Sequence, residues 1–385
     1  MAKTMRASVL ADVGRFELRN VPRPETGPQD VTVQVAAVGL CGTDFHIFAG
    51  HANYNTDSQG RPIPLSTHPQ ILGHEIAGVV AEVGDEVNDL RAGDRVVVDQ
   101  GLNCRSARRI INCEYCATGD SHQCEFYGEH GITGLPGGLA EYITVPAVNA
   151  VRIQSDLDSA EAALTEPLGC IVHSSDMAQR ARARYAINAD EKDRRVRSVL
   201  ICGAGPAGLL FTQYLRNVLG FDGLLLVSEP NARRRELAAR FGAKVINPTT
   251  CDVREAVREM TGGRRVEYLI EATGAGKVFA MIPGLIRKQA TVLLYGHGHA
   301  GVDLSVLNNV MFLEPALIAS VGASGGFEAD GRPSTYRRAL GLLEEGRVKV
   351  APFITHRYNS LAAVPQAFAG DQHLPDYVKG VVCLT

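Results

Sequence analysis

The chain of 385 residues is too long for a single ordinary hydrophobic core, so we expect two domains. Its 39 basic and 42 acidic residues leave a net charge of -3, which excludes the strong positive field typical of nucleic-acid-binding proteins. No apolar run approaches the length of a membrane span, and the first residues lack the apolar core of a signal peptide. We therefore predict a cytoplasmic protein with no nucleic-acid or membrane partner.

Residues 1–160 contain short β-type runs separated by glycine, proline and aspartate. The runs are VTVQVAAV at 31–38, IAGVVAEV at 76–83, RVVV at 95–98 and YITV at 142–145. This spacing predicts a β-rich domain with long loops. We expect the C-terminal stretch 328–385, which contains one helix-like and two β-like runs, to complete that domain.

Residues 161–327 have a different pattern, in which helix-like and strand-like segments alternate. The strand-like segments lie at 197–205, 223–230, 266–274, 290–298 and 317–325. Alternation of this kind predicts an α/β domain built on a parallel, doubly wound sheet.

The first of these strands runs into a glycine-rich turn that is typical of dinucleotide binding. The turn reads Gly203-Ala204-Gly205-Pro206-Ala207-Gly208. Its glycines allow a tight bend and let the backbone approach a pyrophosphate at a helix N-terminus. Glu229 ends the next strand, where a carboxylate accepts hydrogen bonds from a ribose and repels a 2′-phosphate. We therefore predict NAD rather than NADP, although the arginines at 233–235 could hold a phosphate; a doubly wound domain without a nucleotide is the alternative.

Two motifs in the first half carry residue types that bind zinc. They are Gly39-Leu40-Cys41-Gly42-Thr43-Asp44-Phe45-His46 and Gly73-His74-Glu75. A catalytic zinc uses three protein ligands and keeps one position open for substrate. A lone cysteine or histidine is more often a core residue, but the two motifs together favour a metal site that includes Cys41 and His74.

These features together resemble the zinc-containing medium-chain dehydrogenase/reductase family, which includes alcohol, sorbitol and threonine dehydrogenases. The resemblance covers essentially the whole chain, and its further motifs are GHE-x2-G-x5-G at 73–84, GDRV at 93–96 and GGLAEY at 137–142. It implies a GroES-like β-rich catalytic domain, a Rossmann coenzyme domain and hydride transfer from an alcohol to NAD. A homodimer or homotetramer is implied in the same way.

The resemblance assigns the zinc ligands residue by residue. Cys41 and His74 match the first two ligands, and Glu75 matches a carboxylate that binds the metal in only some members. In the third position, Glu166 matches the glutamate of sorbitol- and threonine-type members. Cys170 is the alternative, because zinc prefers thiolate. The glutamate implies a polyol, cyclitol or sugar as substrate, with amino-alcohol oxidation like that of L-threonine 3-dehydrogenase as the alternative.

The resemblance also assigns a proton relay and coenzyme contacts. Thr43 and His46 match the pair that removes the hydroxyl proton, although Thr43 could instead cap a helix and His46 could be an ordinary polar residue. The coenzyme matches are Glu229 and Arg234 at the adenosine ribose, and Tyr295, Gly296 and Val321 along the nicotinamide.

A cysteine cluster departs from the family pattern. Family members with a structural zinc have the spacing C-x2-C-x2-C-x7-C. Here Cys113, Cys116 and Cys124 keep the last three positions, whereas Cys104 is separated from Cys113 by eight residues. Four thiolates remain available, so we expect a second, structural zinc; the alternative is that the insertion has abolished this site.

Two rival functions use the same fold. A zinc-free reductase of enones or quinones should lack the Cys41, His74 and Glu166 set, so the sequence disfavours it. A non-catalytic nucleotide or redox sensor has no need of the Thr43–His46 pair.

Overall fold

The structure is a computed structural model that describes residues 3–384, and its contacts divide the chain into two units. Unit 1 comprises residues 1–169, 323–346 and 354–385, and unit 2 comprises residues 170–322 and 347–353. The domain boundaries expected from the sequence, near 160 and 328, remain a prediction.

Strands predominate before residue 153, and helices alternate with strands after it. Up to residue 180 the elements are β1 (Thr4–Asp12), β2 (Arg15–Pro22), β3 (Asp30–Gly39), α1 (Gly42–Phe48), β4 (Glu75–Val83), β5 (Arg95–Val98), β6 (Gly101–Leu102), α2 (Glu114–Thr118), β7 (Gly128–Glu129), β8 (Tyr142–Pro146), β9 (Ala150–Arg152), α3 (Ser159–Ala162) and α4 (Thr165–Arg180). Beyond it they are β10 (Ser198–Cys202), α5 (Pro206–Gln213), β11 (Leu224–Ser228), α6 (Ala232–Arg240), β12 (Lys244–Ile246), α7 (Val253–Met260), β13 (Val266–Glu271), α8 (Gly276–Phe279), α9 (Ile282–Leu285), β14 (Ile286–Leu294), α10 (Val306–Met311), β15 (Ala316–Ala319), α11 (Ser334–Glu344), β16 (Ile354–Tyr358), α12 (Val364–Ala369) and β17 (Lys379–Cys383).

A seven-stranded sheet forms the centre of unit 1. Its order is β16-β17-β3-β4-β5-β9, with β8 also paired to β3. The central strand β3 is buried along almost its whole length, because Val31, Val33 and Val35 pack into the apolar core of this unit. The C-terminal strand β17 pairs antiparallel with the end of β3, so the last segment of the chain lies beside Gly39.

A six-stranded parallel sheet forms the centre of unit 2, with the order β12-β11-β10-β13-β14-β15. Strand β10 lies in the middle, and its residues Ser198–Cys202 are all buried. Because β11 lies on one side of β10 and β13 on the other, the strand order reverses at β10. The glycine-rich turn after β10 therefore lies at the switch point of a doubly wound sheet. The predicted fold class is confirmed.

Within the part of the chain that the structure describes, residues 3–384, no helix combines the length and the apolar character needed to cross a bilayer.

A buried carboxylate ties three strands of the parallel sheet together. Glu267 on β13 accepts hydrogen bonds from the backbone N–H of Ser198 (2.9 Å), the Ser198 hydroxyl (2.6 Å) and the Arg287 guanidinium (2.8 Å). Burial alone would raise the pKa of Glu267, but these donors outweigh it and lower that pKa below its usual value of 4.5. Glu267 is therefore ionised in the folded protein at neutral pH.

We expect Glu267→Gln to lower the free energy of unfolding at pH 7 by about 2 kcal/mol, because an amide cannot replace the ionised acceptor for both Ser198 and Arg287. Because the folded pKa is lowered, this contribution is complete above pH 4.5 and is lost as the pH falls through the folded value. Denaturant unfolding at several pH values measures it. Glu236→Gln, on an exposed surface pair with Arg233, is the control and should cost less than about 0.5 kcal/mol. An equal loss in both variants would contradict the prediction.

Candidate active site

The register of β3 and β4 brings the two zinc motifs together. Gly39 at the end of β3 is paired with Glu75 at the start of β4. Cys41 follows β3 by two residues and His74 immediately precedes β4, so both side chains lie at the same end of the sheet. Cys41 is also the N-cap of α1, and its backbone N–H donates to the Asp44 carboxylate (2.9 Å).

Three donor atoms of different chemistry converge there. The Sγ of Cys41, a ring nitrogen of His74 and a carboxylate oxygen of Glu75 all lie within 4.8 Å of one another. The Oε2 atom of Glu75 is buried and has no hydrogen-bond partner, which is costly unless a cation satisfies it. Thiolate, imidazole and carboxylate are the ligand types that zinc takes in proteins, so these residues fit a zinc ion.

The carboxylate of Asp44 faces the ring of His74. It is fully buried, and Oδ1 lies 3.4 Å from the Nδ1 atom of His74. A carboxylate behind one ring nitrogen orients the imidazole and leaves the other nitrogen for a metal. Burial by itself lowers the pKa of His74, but the attraction of Asp44 outweighs it and the net effect raises that pKa well above its usual value. Zinc binding must therefore displace a proton from this ring.

Lys379 contacts Glu75 and was not predicted from the sequence. Its Nζ donates to Oε1 of Glu75 (2.6 Å) and to the carbonyl of Leu40 (2.9 Å). Burial lowers the pKa of Lys379, but the charge of Glu75 outweighs it, so the pKa is raised and the ammonium persists. Gly39 makes room for the carboxylate, because a Cβ at position 39 would overlap Oε2 of Glu75. The available signal was a lysine inside the apolar strand Val-Lys-Gly-Val-Val.

Glu166 is the residue that the sequence analysis predicted as the third zinc ligand. It lies in the first turn of α4, where Pro167 is tolerated, and its side chain is buried. Its Oε1 accepts a hydrogen bond from Nε2 of Gln100 (3.1 Å), and within residues 3–384 Glu166 is not one of the donors gathered around Cys41. Cys170, one turn later, is buried and lies outside both metal-type clusters among the described residues. The choice between the two residues remains a prediction.

The predicted relay pair lies on the first turns of α1. Thr43 is partly buried, and the Cys41 thiol donates to its Oγ1 at 3.8 Å. His46 is exposed, and its ring centroid lies 6.1 Å from that of His51. Residues three apart share a helix face, so Thr43 and His46 lie on one face of α1, and their role as a proton relay remains a prediction. The helix begins after Cys41, so Thr43 is not its cap.

The four predicted cysteines of the second cluster come together despite the insertion. The Sγ atoms of Cys104, Cys113, Cys116 and Cys124 all lie within 4.8 Å of one another, and all four residues are buried. The backbone N–H of Cys116 is the main cause that lowers the pKa of Cys113 to about 6, so a thiolate is present at neutral pH. The inserted residues loop outwards, with Ile110 and Ile111 exposed. Four converging thiols of this kind fit a structural zinc.

The glycine-rich turn has the geometry that a dinucleotide needs. Gly203 has a φ of +96°, which only glycine adopts readily, and Gly205 is the N-cap of α5 with no atom within 4 Å of a Cβ built there. A Cβ at Gly208 would overlap the carbonyl of Gly203, so this glycine permits close packing of helix and strand. Pro206, which has no N–H, and Ala207 lie in the first turn of α5, where the remaining backbone N–H groups have no acceptor within the helix and can face a pyrophosphate.

Glu229 lies directly beside that turn. Its Oε2 accepts the backbone N–H of Ala204 (2.7 Å) and its Oε1 accepts that of Asn231 (2.9 Å). Of the arginines that follow, Arg233 pairs with Glu236 (2.9 Å) and Arg235 donates to the carbonyl of Glu229 (2.9 Å). The backbone N–H of Arg234 donates to the side chain of Asn231 (3.0 Å), which caps α6.

The remaining coenzyme residues lie after the later strands. The backbone N–H groups of Tyr295 and Gly296 both donate to the carbonyl of Glu271, at 2.9 and 2.8 Å. Val321 follows β15 and is 65% exposed. The structure thus places both residue groups at the carboxyl ends of the parallel strands, the end at which α/β sheets bind ligands.

Comparison with known proteins identifies the family. Residues 27–155 match the alcohol dehydrogenase GroES-like domain, and residues 206–345 match the zinc-binding dehydrogenase family. The chain is 32% identical to L-threonine 3-dehydrogenase of Pyrococcus abyssi over 355 residues, which cover 91% of this chain and 90% of that one.

Solved structures agree with this result. A zinc-binding dehydrogenase from Sinorhizobium meliloti, bound to NADP, has a TM-score of 0.80 and 29% identity over 99% of both chains. The 2R,3R-butanediol dehydrogenase of Bacillus subtilis has a TM-score of 0.78 at 21% identity, over 99% of this chain and 100% of that one, which shows a shared fold. Together with the two matched domains, these similarities show that the chain is a dehydrogenase of the zinc-containing medium-chain dehydrogenase/reductase family.

Proposed function

We propose that this dehydrogenase oxidises a small polar secondary alcohol, such as a polyol, cyclitol or sugar, and transfers the hydride to NAD. The observation that carries the proposal is the Cys41–His74–Glu75 donor set, in which His74 and Glu75 are buried and one carboxylate oxygen of Glu75 has no protein partner. Cys41 and His74 would hold the catalytic zinc, with Glu75 or Glu166 as the further protein ligand.

The chain's own residues supply the proton path. Zinc, when bound, would strongly lower the pKa of a hydroxyl, as it lowers that of water to about 7. Thr43 Oγ1, close to the Cys41 thiol, is placed to accept the hydroxyl proton of the substrate. His46 is exposed on the same helix face and passes that proton on to solvent.

The substrate class follows from the carboxylate at position 166. A carboxylate binds zinc less tightly than a thiolate does, which suits a substrate that offers two oxygen atoms, such as a vicinal diol. A second candidate is oxidation of an amino alcohol, because the relatives that are 32% identical over nine-tenths of the chain are L-threonine 3-dehydrogenases.

The coenzyme proposal rests on Glu229. Its carboxylate is buried against the glycine-rich turn, where it would accept hydrogen bonds from ribose hydroxyls and repel a 2′-phosphate. Of the arginines that follow, Arg233 pairs with Glu236 and Arg235 donates to backbone carbonyls. These contacts support NAD over NADP.

Assembly and location complete the proposal. A homodimer or homotetramer is supported by the edge strand β15, which pairs only with β14 among the described strands and lies near exposed apolar side chains. These side chains are Leu304, Met311, Phe312, Leu317 and Val321. The four gathered thiols suit a reducing compartment, which supports a cytoplasmic location.

The metal content tests the donor sets. Protein purified with intact thiols should release close to two zinc ions per chain on denaturation, because both clusters present complete sets of ligand types. Cys104→Ser should lose one zinc and much stability while keeping the other. Colorimetric titration of the released zinc measures both. A wild type that binds a single zinc, retained in Cys104→Ser, would show that the inserted residues have abolished the cysteine site.

Turnover tests the substrate class and the coenzyme together. We expect NADH formation with at least one member of a panel of polyols, cyclitols, aldoses and L-threonine. We also expect the kcat/KM for NAD⁺ to exceed that for NADP⁺ at least about tenfold, which corresponds to a free-energy difference of about 1.4 kcal/mol. Glu229→Gln should narrow that ratio, because it removes the repulsion of the 2′-phosphate. His74→Ala is the inactive control. Equal kcat/KM values for the two coenzymes in the wild type would refute the assignment to Glu229.

The third ligand position is tested by comparing two residues on one helix. Glu166→Ala should lower kcat/KM by about 100-fold or more, at least about 2.7 kcal/mol of transition-state stabilisation. Cys170→Ala should keep its activity and lose only packing, because that side chain lies in an apolar stretch of α4. Steady-state kinetics on folded, zinc-loaded variants gives the ranking. The reverse ranking would reject both the ligand assignment and the polyol-type substrate.

A further inference from the structure

Glu271 is a fully buried carboxylate at the carboxyl end of β13, and three residues donate hydrogen bonds to it. Its Oε1 accepts the backbone N–H (2.8 Å) and the hydroxyl of Thr273. Its Oε2 accepts the backbone N–H of Gly274 (3.1 Å) and Nε2 of His299 (2.7 Å). Of these three donor residues, His299 alone comes from the segment that follows β14. One imidazole therefore connects the segments that follow two neighbouring strands.

The segment after β14, which we call the 295–301 loop, has a backbone that needs such a contact. It reads Tyr-Gly-His-Gly-His-Ala-Gly, and its φ angles at Gly298 and His299 are +129° and +37°. Glycines leave a segment conformationally free, and a positive φ is unfavourable for a residue that carries a side chain. The contact of His299 with Glu271, together with the hydrogen bond from the His299 N–H to the carbonyl of Gly274 (2.6 Å), offsets that cost.

The position of the imidazole follows from its two neighbours. An ionised carboxylate can only accept hydrogen bonds, so Nε2 of His299 carries the hydrogen. The ring of Phe279 packs edge-on against the imidazole, with 5.4 Å between the ring centroids. Only 25% of the His299 side chain is exposed, and a hydrogen bond that is largely protected from water is stronger than one in solvent.

Glu271 also connects the 295–301 loop to the glycine-rich turn. A Cβ at Gly203 would lie 2.9 Å from the methyl group of Thr273, so Thr273 packs against that turn. The backbone N–H of Ala272 donates to the carbonyl of Cys202 (3.0 Å), the residue immediately before the turn. Glu271 therefore lies between the turn proposed to hold the pyrophosphate and the loop proposed to line the nicotinamide.

We propose that His299 is a positioning residue for the coenzyme, because it anchors the 295–301 loop on Glu271 in the conformation that receives the nicotinamide half of NAD. Without this anchor, the loop is in that conformation for only a fraction of the time, and the apparent Kd rises by the inverse of that fraction. The inference rests on the proposed function, since it requires the nicotinamide to lie against this loop.

The adenosine half of the coenzyme should not depend on the anchor. Glu229, the proposed ribose acceptor, follows β11, and β11 lies on the opposite side of β10 from β13. A ligand that carries only the adenosine half therefore binds away from His299. Comparing the two kinds of ligand separates a loop that is positioned by His299 from a domain that is merely stabilised by it.

Binding of NADH and of ADP tests the anchor without using turnover. In His299→Leu we expect the Kd of NADH to rise at least about tenfold, the size expected for the loss of one hydrogen bond to a charged group. The Kd of ADP, which lacks the nicotinamide half, should change by less than about twofold, as expected for a distant site with no shared contacts. Isothermal titration calorimetry measures both constants, whereas a general loss of domain stability would weaken both ligands.

Three further variants control for the substitution. His299→Gln keeps an N–H group that can reach the same carboxylate, so it should hold the Kd of NADH within about threefold of the wild type. His299→Ala cannot overfill the site and should behave like His299→Leu. His373→Leu makes the same substitution at an exposed histidine of unit 1 and should leave both constants unchanged.

Hydrogen exchange in the coenzyme-free protein tests the loop itself. Peptides that cover residues 295–301 should exchange at least about fivefold faster in His299→Leu than in the wild type, because the loop opens more often. Exchange in β10 should be unchanged, and His299→Gln should restore slow exchange in the loop.

The outcomes separate this inference from the proposed function. Weaker NADH binding with unchanged ADP binding, restored in His299→Gln, supports the anchor. Unchanged NADH binding in His299→Leu and His299→Ala, or equal weakening of NADH and ADP, overturns it even if the wild type oxidises an alcohol with NAD. A wild type that binds ADP but no NADH refutes the proposed coenzyme and the anchor together.

Discussion

The active site depends on one backbone pairing, that of Gly39 with Glu75 between β3 and β4. This register places Cys41 and His74 at the same end of the sheet, although 32 residues separate them. A shift by one residue would turn every side chain of β4 to the opposite face, so Glu75 would leave the cluster and Ile76 would leave the core. The apolar side chains of β3 and β4 therefore specify the position of the metal donors as well as the stability of the sheet. Glycine at position 39 is part of the same constraint, because any side chain there would occupy the space of the Glu75 carboxylate.

Around that pairing, each donor is held by a different kind of group. His74 has the carboxylate of Asp44 behind it, Glu75 has the ammonium of Lys379, and Glu166 has the amide of Gln100. An anion, a cation and a neutral dipole thus tune three ligand-type residues within one unit.

The sequence was sufficient for the fold class and for most of the site, and its failures have physical reasons. Alternating patterns identified β3, β4, β5 and β8, but the β1–β2 hairpin went unpredicted, although Arg15-Phe16-Glu17-Leu18-Arg19 alternates charged and apolar residues. The motifs identified Cys41 and His74. Lys379 and Gln100 were not predicted, because they contact Glu75 and Glu166 only through hydrogen bonds between residues far apart in the sequence. The cysteine cluster shows the reverse case. The irregular spacing of Cys104 weakened the motif, yet the inserted residues loop outwards and leave the four sulfur atoms together.

The contact between Lys379 and Glu75 joins residues 304 positions apart and has a consequence for biosynthesis. During translation, the metal donors of β3 and β4 emerge from the ribosome long before the strand that carries Lys379. Until that strand is made, residues 37–39 of β3 lack their β17 partner and the Glu75 carboxylate has no Lys379 ammonium beside it. Domains generally begin to fold as they are synthesised, from the N-terminus onwards. The nascent chain therefore leaves this end of the sheet unpaired until a residue 304 positions after Glu75 has been made, and an unpaired strand edge can pair with other chains.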